Sequence, residues 1–333
     1  MKIGILSVAH LHADSYIQNL RAIPGVEVIG IADEDAARGA HFAEQFSTTL
    51  FPSYAALLEA RPAAVLVCSE TSKHRPLVEL AAAAGAHVLC EKPLATTLAD
   101  AEALSAACER AGVKLMTAFP RRFSAPVRAI KAQLDAGELG RVYCCNATNQ
   151  GEMPARHAAW FVDPDLAGGG AVMDHTVHLA DILRWYLGEE VVEVYAQTNR
   201  ILHGDEVEVE TGGLLMLTFA GGVFASIDCS WNKPDYYPTW GGLTFELVSA
   251  RGVVRVDDFR QNLTVYSDAN RRPTWAYWGA DADQAMLADF VAAIREDRPP
   301  RVTGQDGLRA LQIALAAYES AARGQPVRLP AAG

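Results

Sequence analysis

The 333-residue sequence lacks the features of a membrane protein, a secreted protein and a nucleic-acid-binding protein. No apolar run reaches the roughly 18 residues that a membrane-spanning helix needs, and residues 1–9 lack the basic start and cleavage site of a signal peptide. Lysine and arginine total 29 against 40 acidic residues, a formal net charge of −11 that provides no basic face for phosphates. We therefore expect a cytoplasmic protein with neither a membrane nor a nucleic-acid partner.

The sequence also lacks CxxC or zinc-ribbon spacing. Its six cysteines are Cys68, Cys90, Cys108, Cys144, Cys145 and Cys229. Several lie in apolar runs, which predicts buried, reduced thiols in a reducing compartment. No internal repeat or low-complexity tail is present, and the length is sufficient for two domains with sizeable cores.

The first third of the chain alternates strand-like and helix-like segments. Apolar runs predict strands at 2–8, 26–32, 63–68, 86–90 and 114–118, and helical spacing predicts helices at 13–23, 35–46, 74–84 and 98–111. This alternation is typical of parallel strands joined by right-handed crossovers. It predicts a Rossmann-like, doubly wound domain over 1–120.

Beyond about residue 140 strands predominate, at 141–146, 193–197, 207–219, 223–231 and 243–248, followed by helices at 284–296 and 306–323. The alternation of apolar and polar residues in 223–231 indicates a half-buried strand of an antiparallel sheet. Residues 214–219 are apolar on both faces, so we expect helices to cover one face and a partner subunit the other. We predict an α/β protein whose second domain, 121–333, is α+β with a large, mainly antiparallel, open-faced sheet.

The Glu91-Lys92-Pro93 step carries the most functional information. It follows the apolar run 86–90, so the two charges lie at the carboxyl end of a predicted parallel strand, where open α/β sheets bind ligands. An exposed charged turn explains the spacing equally well.

In this segment the chain resembles the Gfo/Idh/MocA oxidoreductases, which are nicotinamide-dependent sugar and polyol dehydrogenases. That family carries Glu-Lys-Pro at a strand end, with the lysine between the nicotinamide and the substrate hydroxyl. The resemblance extends along nearly the whole chain. It implies a dinucleotide-binding domain, and a second domain whose open sheet face forms dimer or tetramer contacts.

The predicted dinucleotide turn contains no glycine. Ser7-Val8-Ala9-His10-Leu11-His12-Ala13 follows the first strand, and the resemblance places Ser7 and Ala9 at the first two glycine positions of the family. It implies that Ser7, Ala9, His10 and Leu11 bind the cofactor. Any position there that needs a positive φ now carries a Cβ atom, which predicts weaker binding or a shifted pyrophosphate.

Asp33 ends the second predicted strand, where a carboxylate accepts both ribose hydroxyls and repels a 2′-phosphate. Glu34 adds a second negative charge, and we expect no arginine or lysine beside it. NAD is therefore favoured over NADP. The alternative role of Asp33 is to cap the helix that begins at residue 35.

The resemblance implies further cofactor-binding residues, which are Ser69, His74, Glu91, Lys92 and Arg122. His74 matches well, whereas Ser69-Glu70-Thr71 matches only loosely. Arg122 lies in the crossover segment 119–123, where a structural ion pair is equally plausible.

Gly168-Gly169-Gly170 precedes a polar helix on which Asp174, His178 and Asp181 share one face at i, i+4 and i+7. Alone this spacing is more typical of a solvated face, but the family has the same glycine run, aspartate and histidine. The resemblance implies that Lys92, Asp174 and His178 are catalytic, and that Trp160 and His175 also contact the substrate. Neutral histidine is a competent base near neutral pH, and an ammonium group stabilises alkoxide charge. We expect hydride exchange with a sugar, polyol or cyclitol hydroxyl.

Two other classes of function remain open. A metal-dependent hydrolase or metal-assisted enzyme would use histidines at the sheet edge, namely His10, His12, His74, His175 and His178. Against it, residues two apart on a helix do not share a face, and the chain lacks an eight-fold strand–helix repeat. The glycine-poor turn instead favours a non-catalytic ligand-binding or regulatory protein.

Overall fold

A computed structural model describes residues 1–260, 262–266, 271, 274–277 and 279–330. The chain forms two compact units, each built from separate stretches of sequence. The first comprises Met1–Pro120, His157–Gly168 and Asp283–Leu311, and the second comprises Arg121–Arg156, Gly169–Ala282 and Gln312–Gly333. The sequence-based division at residue 120 placed 157–168 and 283–311 in the second part, because their helical patterns do not reveal where they pack.

The first unit contains a six-stranded parallel sheet with the order β3-β2-β1-β4-β5-β6. Its strands are β1 (Lys2–Leu6), β2 (Glu27–Ala32), β3 (Leu50–Phe51), β4 (Ala64–Val67), β5 (His87–Cys90) and β6 (Leu115–Thr117). Its first helices are α1 (Ala13–Ala22), α2 (Ala36–Gln45), α3 (Tyr54–Glu59), α4 (His74–Ala83) and α5 (Leu98–Ala111). This strand order is that of a doubly wound dinucleotide fold, in which ligands bind beyond the carboxyl ends of the strands.

The remaining helices are α6 (Ala125–Asp135), α7 (Pro164–Ala167), α8 (Ala171–Leu187), α9 (Ala282–Arg295) and α10 (Gly304–Arg323). The first seven strands after β6 are β7 (Val142–Gly151), β8 (Val191–Asn199), β9 (Gly212–Phe219), β10 (Phe224–Asp228), β11 (Gly241–Ser249), β12 (Gly252–Asp257) and β13 (Asn262–Val265). The last two are β14 (Thr274–Tyr277) and β15 (Val327–Arg328).

The second unit is built on a seven-stranded sheet with the order β12-β11-β7-β10-β9-β8-β15. Neighbouring strands run antiparallel except β7 and β10, which are parallel. Helix α8 contacts β7 and β9 and buries residues on most of its circumference, including Val172, Val177 and Leu183. The predicted fold class, a parallel Rossmann-like sheet followed by a mainly antiparallel sheet, is confirmed.

One face of the second sheet is exposed in the single chain. Leu214 and Met216 of β9 are 59% and 44% exposed, and Phe224 of β10 is 51% exposed. Met216 pairs with Ser226 and Tyr195, so these side chains lie on the same face of adjacent strands. We expected a partner subunit to cover the second face of 214–219, and this face is exposed in the isolated chain.

The predicted strand 207–219 begins only at Gly212. Glu210, which precedes this strand, contacts the N-terminus of α8 instead. Its carbonyl accepts the Ala171 N–H at 3.0 Å. No helix in the described part of the chain is both long enough and apolar enough to cross a membrane.

Candidate functional site

The turn after β1 keeps a glycine-like backbone without glycine. Ser7 has a φ of 66°, in the left-handed region where a Cβ atom is normally unfavourable. Its hydroxyl donates to Asp33 Oδ2 at 3.1 Å and accepts the Ala9 N–H at 3.2 Å, while the Val8 N–H donates to the same Asp33 oxygen at 2.7 Å. These hydrogen bonds hold Ser7 in the conformation that glycine would adopt freely.

The Asp33 side chain is fully buried, and its carboxylate oxygens are bound by other groups of the protein. Arg38 Nη2 donates to Asp33 Oδ1 at 2.8 Å, and Arg38 Nε lies 3.1 Å from Oδ2. Lys73 pairs with Glu34 and lies 3.3 Å from Glu70. The expectation that no arginine or lysine accompanies these carboxylates was therefore wrong. Arg38 occupies the first turn of α2 and turns back towards the strand end.

Three groups from two strand ends converge beside this turn. Glu91 Oε1 lies 3.0 Å from His12 Nδ1 and 3.5 Å from His10 Nδ1, and the two imidazole rings are centred 4.6 Å apart. His10 and His12 belong to the segment before α1 rather than to the helix. The argument that two residues of a His-x-His motif cannot share a face therefore does not apply here.

Burial and neighbouring groups shift the pKa values of His10 and Glu91 in this cluster. Burial lowers the pKa of His10 to about 3, so this imidazole is neutral. Although burial acts to raise the pKa of Glu91, the His10 and His12 rings and the Tyr16 hydroxyl outweigh it and hold that pKa well below 4.5. Glu91 is thus a buried carboxylate whose second oxygen accepts the Lys92 N–H at 2.9 Å. Lys92 itself is 5% exposed.

His74 and Ser69 make contacts within the first unit. The two ring nitrogens of His74 lie 3.2 Å from the Leu94 carbonyl and 3.3 Å from the Ser69 carbonyl. The Ser69 hydroxyl donates to the Glu70 carbonyl at 3.1 Å. Burial also lowers the pKa of His74, which leaves it neutral. Leu11, by contrast, is 40% exposed beside the turn.

Trp160 packs onto the turn from later in the chain. Its indole N–H donates to the Ala9 carbonyl at 3.1 Å, and its ring stacks on Phe161 with centroids 3.9 Å apart. The predicted substrate role of Trp160 stays a prediction, and its observed role is to support the turn.

The polar residues of α8 contact several parts of the second unit. Asp174 Oδ2 lies 3.1 Å from His175 Nε2 and 3.4 Å from the Trp231 indole nitrogen, and His175 Nδ1 lies 2.8 Å from the Asn149 carbonyl. Asp174 is thus in direct contact with His175, the adjacent residue. His178, one turn further along, is 5% exposed.

Asp181 and Arg122 form a buried ion pair. Arg122 Nε donates to Asp181 Oδ2 at 2.7 Å, a second contact joins the other guanidinium and carboxylate atoms, and neither side chain exceeds 5% exposure. The Arg122 guanidinium also lies 5.5 Å from the centre of the Trp185 ring. Of the two roles considered for Arg122, the ion pair is the one observed.

The glycines before α8 accommodate protein atoms. A Cβ at Gly169 would collide with the Tyr318 hydroxyl, and one at Gly170 with the Glu210 carbonyl oxygen. Glu210 also accepts the N–H groups of Gly170 and Val172 and the Tyr318 hydroxyl. Glu210 and Tyr318 therefore approach the backbone at the start of α8 closely.

Comparison with protein families decides the assignment. Residues 1–119 match the oxidoreductase family with an NAD-binding Rossmann fold, and residues 127–255 match the GFO/IDH/MocA C-terminal domain. The chain belongs to the Gfo/Idh/MocA family of oxidoreductases. The resemblance inferred from Glu91-Lys92-Pro93 is confirmed.

Similar proteins cover this member of the Gfo/Idh/MocA family almost end to end. D-apiose dehydrogenase of Paraburkholderia graminis is 32% identical over 98% of this chain and 88% of its own length. D-xylose 1-dehydrogenase (NADP(+)) 2 of Haloferax volcanii is 31% identical over 99% of this chain and 100% of its own. The crystal structure of GenD2 from gentamicin A biosynthesis, in complex with NAD, has a TM-score of 0.90 at 24% identity, covering 99% and 97% of the two chains.

Several residues at the site were missed by sequence reasoning. Arg38, Tyr16 and Glu210 have no motif of their own, although Arg38 lies five residues after Asp33 and Tyr16 lies one helical turn after His12. Those spacings could have suggested Tyr16 on α1 as a partner of His12, and Arg38 on α2 as a partner of Asp33. The pairing of Glu210 with Tyr318, 108 residues away, left no such signal.

Proposed function

We propose that this protein is an NAD-dependent dehydrogenase that exchanges a hydride with a hydroxyl of a sugar, polyol or cyclitol. Membership of an oxidoreductase family with an NAD-binding Rossmann fold carries the proposal. The curated relatives named for apiose and xylose support a carbohydrate substrate.

The first unit has the features that a dinucleotide requires. Ser7 supports the tight turn, and α1 begins without a side-chain cap, so its N-terminal dipole is available to a pyrophosphate. Ser7, Ala9, His10 and Leu11 would border the dinucleotide at this turn. Ser69, His74 and Glu91 would support the adjoining strand ends.

We propose Lys92, Asp174 and His178 as the catalytic residues. The nicotinamide, when bound, accepts or supplies the hydride. His178 would remove the hydroxyl proton as general base, and Lys92 would donate to the same oxygen and stabilise its developing negative charge. Asp174, in contact with His175, would bind a neighbouring substrate hydroxyl.

The catalytic assignment is tested by a screen of sugars, polyols and cyclitols, read by nicotinamide absorbance. Replacing His178 with Ala should lower turnover by about 10²–10⁴ on an accepted substrate, with nearly unchanged dinucleotide affinity. His203→Ala is the matched control, because His203 is a partly exposed histidine of the same unit that pairs with Glu206. An unchanged rate in His178→Ala would reject the assignment. Dinucleotide binding without turnover of any compound would favour the non-catalytic alternative.

We further propose that NAD is preferred over NADP. Asp33, Glu34 and Glu70 supply three negative charges at the end of β2 and β4, against two positive charges from Arg38 and Lys73. The remaining negative charge opposes a 2′-phosphate. We expect NADP to bind at least about tenfold more weakly, a difference of about 1.4 kcal/mol, and Arg38→Ala to widen the gap. Equal affinities in a calorimetric titration would contradict the preference.

The exposed sheet face and the cysteines complete the proposal. We propose that two or four copies associate through the face that carries Leu214, Met216 and Phe224. All six cysteines are free thiols, which supports a reducing compartment such as the cytoplasm.

A further inference from the structure

The cluster of His10, His12 and Glu91 has a geometry that the dehydrogenase reaction does not account for. One donor atom from each residue lies within 4.8 Å of the other two. All three side chains are inside the first unit, with exposures of 2%, 18% and 0%. Two imidazoles and one carboxylate are thus gathered in a largely dry space at the ends of β1 and β5.

The hydrogen bonds place two acceptor atoms of the cluster near each other. The His12 backbone N–H donates to His10 Nδ1 at 3.2 Å, so that nitrogen carries no proton. The same nitrogen lies 3.5 Å from Glu91 Oε1, so two acceptor atoms lie close together without a proton between them. A metal ion on this nitrogen would replace the His12 N–H on its single lone pair. His10 Nε2 is buried and has no hydrogen-bond partner among the described residues. A cation between His10 Nδ1 and Glu91 would turn this unfavourable contact into a favourable one.

The spacing fits a small divalent metal ion. Tetrahedral zinc with bonds of 2.0–2.2 Å to nitrogen and oxygen places its ligand atoms about 3.4 Å apart. The observed separations from Glu91 Oε1 are 3.0 Å and 3.5 Å. Two histidines and one glutamate also form a common ligand set of zinc enzymes, with the fourth position left open. The Tyr16 hydroxyl lies 3.3 Å from His12 Nδ1.

We propose that His10, His12 and Glu91 bind one divalent first-row metal ion, with Zn²⁺ the best fit. The ion would tie the glycine-poor turn to the end of β5. The positive charge of Lys92 acts on His10 and opposes a second cation, so it limits the affinity. The three ligands all come from the first unit, and His10 and Glu91 also border the proposed dinucleotide site.

The test uses the full-length protein, stripped with a chelator and then titrated with ZnCl₂ by calorimetry. We expect one equivalent to bind and to raise the melting temperature, since a ligand that binds only the folded state stabilises it. Co²⁺ should give the visible absorption of a four- or five-coordinate site. His12→Ala and Glu91→Gln should each weaken Zn²⁺ binding at least tenfold, and Lys92→Met should tighten it.

His41→Ala is the matched control, because it removes an exposed histidine of the same unit, and it should bind Zn²⁺ as the wild type does. Circular dichroism and urea unfolding of each variant show whether the first unit remains folded. The absence of stoichiometric Zn²⁺ binding by the wild type would overturn the proposal without touching the dehydrogenase assignment. Equal affinity in wild type and a folded His12→Ala variant would also overturn it.

Discussion

At the scale of single residues, the turn after β1 shows how a dinucleotide fold can dispense with its glycine. Ser7 adopts a φ of 66°, where a side chain costs about 1–2 kcal/mol. The Ser7 hydroxyl offsets that cost through Asp33 and Ala9. The expected departure from the glycine pattern is thus real, and its remedy lies in a residue 26 positions away.

Ser7 variants separate the backbone strain caused by the Cβ atom from the stabilisation provided by the hydroxyl. Ser7→Ala keeps the Cβ atom but loses the hydroxyl, so we expect the free energy of unfolding to fall by about 1 kcal/mol. Ser7→Gly loses the same hydrogen bonds but relieves the backbone, and it should be more stable than Ser7→Ala by about 1 kcal/mol. Urea unfolding of the two variants measures the difference. If Ser7→Ala equals or exceeds Ser7→Gly in stability, the Cβ atom does not strain the backbone at this position; if Ser7→Ala equals the wild type, the hydroxyl network does not hold the turn.

The Arg122–Asp181 pair is a second residue-scale feature with a large expected effect. Asp181→Asn would leave the buried Arg122 guanidinium without its carboxylate, which costs about 3–5 kcal/mol. The double variant Arg122→Met/Asp181→Leu should recover most of this loss, because it buries no charge. Chemical unfolding followed by tryptophan fluorescence compares them. A small loss in the single variant would show that water reaches the pair.

At the scale of elements, α8 is positioned by a partly buried carboxylate at its N-terminus. Glu210 accepts the Gly170 and Val172 N–H groups at 3.0 Å and 2.9 Å and the Tyr318 hydroxyl at 2.8 Å. Acidic groups favour helix N-termini, yet burial raises the pKa of Glu210 above its ordinary value of 4.5 and outweighs these hydrogen bonds. The orientation of the proposed catalytic helix therefore depends on a residue outside every motif.

This shift predicts a pH-dependent stability. Because the folded-state pKa of Glu210 is raised, the folded chain binds the proton more tightly than the unfolded chain. Its contribution is fully present below the unfolded-state pKa and is lost as the pH rises through the folded-state pKa. Glu210→Gln stays neutral, so its stability relative to wild type should increase with pH across that window.

Thermal unfolding measured from pH 4 to 8 is the relevant readout. Glu208→Gln, which alters an exposed carboxylate two residues away, should follow the wild type. A constant difference between Glu210→Gln and wild type at every pH would show that Glu210 has an ordinary pKa.

At the scale of the whole molecule, the exposed face of the second sheet predicts self-association. Leu214, Met216 and Phe224 line adjacent strands, and apolar patches of this kind mark interaction surfaces. A symmetric contact repeats each substitution on both copies. Leu214→Arg/Met216→Glu should therefore lower the mass measured by light scattering and weaken association at least tenfold. Ile201→Glu, in a surface turn, is the control; a monomeric wild type would refute the prediction.

How much could be predicted depended on the range of the interaction. Periodicity was sufficient for β1, β5 and α8, because alternation and helical spacing are local. The Rossmann-like fold and the family were inferred correctly, helped by Glu91-Lys92-Pro93. The contact between Trp160 and Ala9 joins residues 151 positions apart, and the Asp33–Arg38 pair forms because the Arg38 side chain points back towards β2. Neither contact produces a periodic pattern of residues in the sequence. Assignment of 157–168 and 283–311 to the first unit was missed for the same reason.

The dual engagement of Asp33 has a practical consequence for redesign. Cofactor preference in nucleotide-binding enzymes is commonly altered by exchanging the acidic residue at the end of the second strand for a neutral or basic one. Here such an exchange would release Ser7 and Val8 along with Arg38. A programme aimed at a phosphorylated cofactor would do better to leave Asp33 untouched and recruit cations around Glu34 and Glu70.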